Sequence, residues 1–153
     1  MFKKHTDSIR GIVFPPNGRS LVSGSDDDSI RIWNLRDGSS KVLLLKGRNS
    51  YFLSVSFSPD GRYIAGGDLN NSLWIWDSRR RKLVAKWSGH TNSVTCMEFT
   101  PDGNGLISGS IDGTVKCWDI TSLGSGSEPE NFPEIRVYSG HTVRLFCLLL
   151  TSS

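Results

Sequence analysis

Histidine, serine and aspartate recur together in this chain at fixed intervals. His5, Ser23 and Asp27 are spaced as His90, Ser108 and Asp112 are, and each set is followed at a constant distance by a tryptophan, Trp33 or Trp118. Two chemistries use such a group. A histidine oriented by a carboxylate can take the proton of a serine hydroxyl, the arrangement of acyl-transfer hydrolases. Alternatively, the imidazole and indole N–H groups can satisfy a buried carboxylate and hydroxyl in a closed hydrogen-bond network. A hydrolase needs one such set, in a cleft. A set that returns with the period of the sequence itself reads as part of the fold.

That period is explicit. The segments 5–34, 48–77 and 90–119 align without gaps, and Trp33, Trp76 and Trp118 stand 43 and 42 residues apart. Within each segment the pattern predicts a short strand (9–14, 52–57, 94–99), a turn (Pro16-Asn17-Gly18, Pro59-Asp60-Gly61, Pro101-Asp102-Gly103), a second strand (20–25, 63–67, 105–110) and a third (29–33, 72–76, 114–118). Proline presets φ and glycine accepts positive φ, so these turns have a mechanism. Fourth strands are expected at 41–45, 82–87 and 134–138. No long window carries the 3.6-residue period of an amphipathic helix, so the fold class is all-β.

The period, the Gly-His pairs, the Pro-Asp-Gly turns, the Ser-Gly-Ser strands and the late Trp-Asp together resemble the WD-repeat family over nearly the whole chain. The resemblance implies a partial β-propeller of three four-stranded blades, at 4–46, 47–88 and 89–139, the last with an inserted loop at 121–134. A truncated fourth repeat follows at 140–153. Its tail, VRLFCLLLTSS, has no strand alternation and no Pro-Asp-Gly turn, so the chain is expected to be a fragment of a seven-bladed ring, with read-through past Thr142 as one origin of the tail. The family's network, carried over position by position, falls on His5, Ser23, Asp27 and Trp33 and on His90, Ser108, Asp112 and Trp118. The second repeat keeps only Trp76. Arg48, Gly66 and Asn70 stand where histidine, serine and aspartate are expected, so this blade should rest on apolar packing and be the least rigid of the three or the most dependent on its neighbours.

Composition removes other classes. The 153 residues carry a net charge of +3, too little for a dedicated nucleic-acid binder, and direct nucleic-acid binding is not expected. The three cysteines lack disulfide or zinc spacing and suggest a reducing, intracellular compartment. No apolar stretch is long enough to span a bilayer as a helix. Asp26, Asp27 and Asp28 lack the ligand spacing of a calcium loop, and no phosphate-binding Gly-x-x-x-x-Gly-Lys occurs, so neither metal nor cofactor is expected. The run Arg79-Arg80-Arg81-Lys82 reads as a solvated turn.

Within the family, the second and third repeats and the Ser/Gly-rich insertion most resemble the Groucho-like general transcriptional corepressors of fungi. The resemblance implies a non-catalytic scaffold that docks regulatory or DNA-binding proteins, in the nucleus. The alternative is a generic WD-repeat adaptor, of ubiquitin-ligase or NACHT-type sensor character and cytoplasmic. Partners of such propellers commonly dock near the loops that carry His and Asp. The matching exposed positions are Ser8, Arg10 and Asp26 in the first repeat, Tyr51, Leu53 and Leu69 in the second, and Ser93, Thr95 and Ile111 in the third. Only the second set is apolar, with Ile111 extending it. The two open blade faces are a further route, to self-association.

Overall fold

A computed structural model describes residues 4–16, 18–44, 50–123 and 134–139. It contains three four-stranded antiparallel sheets and no closed barrel. The first consists of β1 (Ile9–Val13), β2 (Ser20–Ser25), β3 (Ser29–Asn34) and β4 (Ser40–Leu44). The second consists of β5 (Phe52–Phe57), β6 (Tyr63–Asp68), β7 (Ser72–Asp77) and β8 (Lys82–Ser88). The third consists of β9 (Val94–Phe99), β10 (Gly105–Ser110), β11 (Thr114–Asp119) and β12 (Glu134–Ser139). Strands pair in chain order within each sheet, so every sheet is a meander. Residues 140–153 and most of the insertion expected at 121–134 lie outside the described residues.

The register repeats from sheet to sheet. Leu21 faces Trp33, Ile64 faces Trp76 and Leu106 faces Trp118 across the second and third strands. The tight turn between those strands needs a left-handed residue, and Asp28 (φ 64°), Asn71 (φ 66°) and Gly113 (φ 82°) occupy the same place in the three copies. Asn and Asp are the side-chain-bearing residues that tolerate this conformation best.

The sheets stack face to face in chain order, β5 against β1 and β2, and β9 against β5 and β6. Period-two alternation gives each sheet two faces, and each junction of faces makes a core. Val22, Ile30 and Leu43 meet Phe52, Ile64, Trp74 and Trp76 at the first junction. Leu73, Ile75 and Trp87 meet Val94, Met97, Phe99 and Trp118 at the second. The middle sheet is thus covered on both sides, and all of β6 and β7 is buried. The equivalent face of the first sheet is open: Ile9, Ile12 and Phe14 are 52–62% exposed.

Gly66 fits its junction for a steric reason. A Cβ there would lie 2.6 Å from Ile30 Cδ1 and 3.0 Å from Phe52 Cδ1. The second repeat has replaced the network serine with space for side chains at the junction with the first sheet.

Candidate functional site

In the first sheet the loop before β1 carries His5 over the end of β2. His5 Nδ1 is 2.8 Å from Asp27 Oδ2 and its Nε2 is 2.6 Å from Ser23 Oγ. Trp33 Nε1 donates to the same Ser23 Oγ at 2.7 Å. The third sheet repeats this with His90 Nδ1–Asp112 Oδ2 at 2.9 Å, His90 Nε2–Ser108 Oγ at 2.7 Å and Trp118 Nε1 to Ser108 Oγ at 2.8 Å. One donor sequence satisfies every atom: indole N–H to serine oxygen, serine O–H to Nε2, and Nδ1–H to the carboxylate.

The aspartates close the network onto the backbone. Asp112 accepts from Thr91 N and Thr114 N, both at 2.9 Å, and from Thr114 Oγ1 at 2.6 Å. Asp27 accepts from Thr6 N, Ser29 N and Ser29 Oγ. Burial alone would push both carboxyls up. The hydroxyl and backbone donors, together with the histidine, outweigh it and hold both below the ordinary value, Asp112 far below.

The connectivity Asp–Nδ1, Nε2–Ser is that of a hydrolytic triad. The surroundings are not. Ser23 is 1% exposed and Ser108 is fully buried, and each hydroxyl oxygen is capped by an indole N–H. A nucleophile must meet a substrate; these serines meet only protein. Among the described residues no group of three or more His, Cys, Asp or Glu is placed to hold a metal.

The second sheet holds a different set, which reading the repeat by template missed. Asp68, fully buried, stands where Ser25 stands in the first repeat, and Trp74 stands where Arg31 does. Asp68 Oδ2 accepts from Trp74 Nε1 and Oδ1 accepts from Ser72 N, both at 2.8 Å. Trp74 stacks on Trp76 at 6.5 Å, and Lys86 Nζ lies 4.5 Å from the Trp74 ring centroid. The second sheet therefore rests on a buried polar pair as well as on apolar packing. Trp76 is buried in the first junction against Phe52, with ring centroids 5.7 Å apart. Arg48 lies outside the described residues, and Asn70 is exposed.

At the His/Asp end of the strands the three copies offer matched positions, bridged by equivalent backbone hydrogen bonds: Asp26 N to Ser8 O, Leu69 N to Tyr51 O and Ile111 N to Ser93 O. In the first sheet Arg10 Nε donates to Asp26 at 2.8 Å, an ion pair on the surface. In the second, Tyr51 and Leu69 are 39% and 43% exposed and Leu53 is half-buried. In the third, Ile111 and Thr95 are half-buried. Ser93 is buried, and its hydroxyl donates to Leu69 O at 3.0 Å, so it stands beneath the apolar cluster and ties the second sheet to the third rather than facing a partner.

The family model described as WD domain, G-beta repeat matches residues 1–34, 39–77 and 81–119. The chain belongs to the WD-repeat family. Its three sheets are blades of the kind that family repeats. The nuclear distribution protein PAC1-1 of Uncinocarpus reesii is 40% identical over 50 residues, 33% of this chain and 11% of that protein. WD repeat and SOCS box-containing protein 1 of Danio rerio is 40% identical over 48 residues, 31% of this chain and 11% of that protein. A crystal structure of RRP9 WD40 repeats superposes with a TM-score of 0.84 at 25% identity, covering 95% of this chain and 43% of that one. The chain thus matches about a tenth of the length of these curated relatives and less than half of the solved propeller.

Proposed function

We propose that this WD-repeat chain is an adaptor that holds a partner protein at the apolar cluster Tyr51, Leu53 and Leu69, flanked by Thr95 and Ile111. One observation carries the reading. At structurally matched positions blade one presents the ion pair Arg10–Asp26, whereas blade two presents leucines beside an exposed tyrosine. The matched positions share the same backbone hydrogen bond, so backbone geometry does not require the apolar choice in blade two. Exposed apolar clusters with an aromatic anchor mark protein interfaces.

A corepressor is the narrower version of this function, with regulatory or DNA-binding proteins as partners and the nucleus as its place. The relatives named above carry other descriptions, a nuclear distribution protein and a SOCS-box protein, and favour the general adaptor. Proximity labelling of cells with the full chain, followed by binding assays on each recovered partner, tests both. Tyr51→Ala and Leu69→Asp are expected to abolish binding, and Arg10→Ala in blade one to leave it intact. Unchanged binding by correctly folded patch variants removes the cluster from the interface. A recovered set without transcriptional regulators removes the corepressor version.

A further inference from the structure

The blades also differ at the opposite strand ends, where β5 finishes and β6 begins. Between blades two and three the gap is filled. Tyr63, Ile120 and Leu123 are 6%, 3% and 5% exposed within one core, and the Tyr63 hydroxyl donates to Leu123 O at 2.8 Å. At the corresponding positions between blades one and two the repeat has Ser20, Ser78 and Arg81. A phenol ring and two aliphatic side chains are replaced there by two hydroxymethyl groups and an exposed arginine.

The consequence is visible in the neighbours. Ile75 is fully buried and Phe99 is 3% exposed, while their counterparts Ile32 and Phe57 are half-buried. A cleft of about 360 Å³ opens between Ser20, Ile32, Phe57 and Ser78, walled by Pro15 and Arg79. Ser20 and Ile32 also line a wider one of about 900 Å³. Arg19, Arg36, Lys41 and Arg79 stand around the two. The single lining carboxyl, Asp60, is turned into its own loop, where it accepts from Ser58 Oγ at 2.6 Å and Arg62 N at 2.9 Å.

We propose that this wedge binds an acidic peptide segment that carries a large apolar side chain. The apolar side chain takes the place left by the missing plug, against Ile32 and Phe57, and the peptide's carboxylates meet Arg36, Lys41 and Arg79. The charge is complementary and the slot is side-chain-sized, because the same fold fills its copy with side chains. A nucleic acid fits less well: the cations ring an apolar slot rather than track along a groove, and the whole chain carries only +3. The site is at the far strand ends from Tyr51 and Leu69 and does not depend on the cluster proposed above.

Fluorescence anisotropy with the full chain tests it. The probe is a labelled peptide with one phenylalanine flanked on both sides by Asp and Glu. Replacing that phenylalanine with alanine is expected to weaken binding about tenfold or more, and added salt to weaken it further. Ser20→Tyr, the residue blade two uses, fills the slot and is expected to cost about tenfold or more in affinity while the thermal midpoint holds or rises. Arg36→Glu with Lys41→Glu, both at exposed positions, is expected to do the same, and decides the matter should Ser20→Tyr lower the midpoint. Tyr51→Ala is expected to change nothing. Equal binding of the phenylalanine and alanine peptides overturns the proposal. So does binding indifferent to charge reversal, or a single-stranded RNA that binds more tightly than the peptide regardless of Ser20→Tyr.

Discussion

The Asp68–Trp74 pair allows a quantitative test of how blade two is held. Asp68 has no exposed surface, and each carboxyl oxygen serves one donor, Ser72 N and Trp74 Nε1. Asp68→Ala strands both donors in a dry junction. A buried donor left without a partner costs about 1–3 kcal/mol, so the variant is expected to lose about 2–6 kcal/mol, a large part of any domain's stability. Asp68→Asn keeps the shape but must point its NH₂ group at one of the two donors, and is expected to lose about half of that. Trp74→Phe removes the indole N–H and part of the ring surface, for about 1–3 kcal/mol. The double variant isolates the side-chain hydrogen bond, because the cost at Ser72 N is common to both arms that lack Asp68. The expected coupling is about 1–3 kcal/mol. Urea unfolding of the full chain, followed by circular dichroism, measures all four corners of the cycle. A coupling within about 0.5 kcal/mol of zero refutes the reasoning, since sites that share no interaction add to that accuracy.

Three other outcomes are expected. Folding lowers the Asp27 and Asp112 carboxyls below the ordinary 3.8, so their contribution is complete above that value and is lost as pH falls through the folded one; the urea midpoint should drop as pH is taken below about 4, and Asp112→Asn should flatten that drop. Gly66→Ser, which would restore the family's serine, should destabilise by about 1–3 kcal/mol, because its Cβ meets Ile30 Cδ1 and Phe52; a variant as stable as the parent in urea would show that the junction yields freely. The exposed Ile9, Ile12 and Phe14 should drive concentration-dependent association in sedimentation velocity, and Ile12→Lys should reduce it; equal sedimentation of both chains would show that this face is not the route.

The sheets and the two full networks were legible because they repeat. A period near 43, turns at fixed offsets and four polar residues at constant spacing left the strand pattern little freedom. Blade two's own pair was missed because the template looks for its acid four residues after the strand serine, at Asn70, while Asp68 lies two residues earlier. A signal existed: Ser-Gly-Ser becomes Gly-Gly-Asp just where Arg31 and Lys116 give way to Trp74. An acid and an indole that depart from the repeat together are a candidate pair. Ser93 was misplaced for a different reason. Its column is exposed at Ser8 and Tyr51, but in blade three the neighbouring blade's Leu69 carbonyl sits over it, and a single repeat does not contain its neighbour. The wedge at Ser20 was hidden in the same way, because Ser20, Ser78 and Arg81 mean something only once it is known which blade faces meet.

These departures are not scattered. Gly66, Asp68, Trp74, Leu53 and Leu69 all lie in blade two, and Ser20 and Ser78 face each other across its junction with blade one. At position 66 the hydrogen-bond network and the interlocked junction compete: a serine would supply one member of the network, and its Cβ would obstruct Ile30 and Phe52. Once blade two is held by Ile30, Phe52, Trp76 and the buried Asp68, its loop positions no longer need histidine or aspartate for the fold. The apolar loop positions lie toward blade three, where Ser93 bonds the Leu69 carbonyl, and the unfilled slot lies at the other strand ends between blades one and two. Blade two thus departs from the repeat at both strand ends, at Leu53 and Leu69 and across from Ser20 at Ser78, while its inner strands β6 and β7 stay buried.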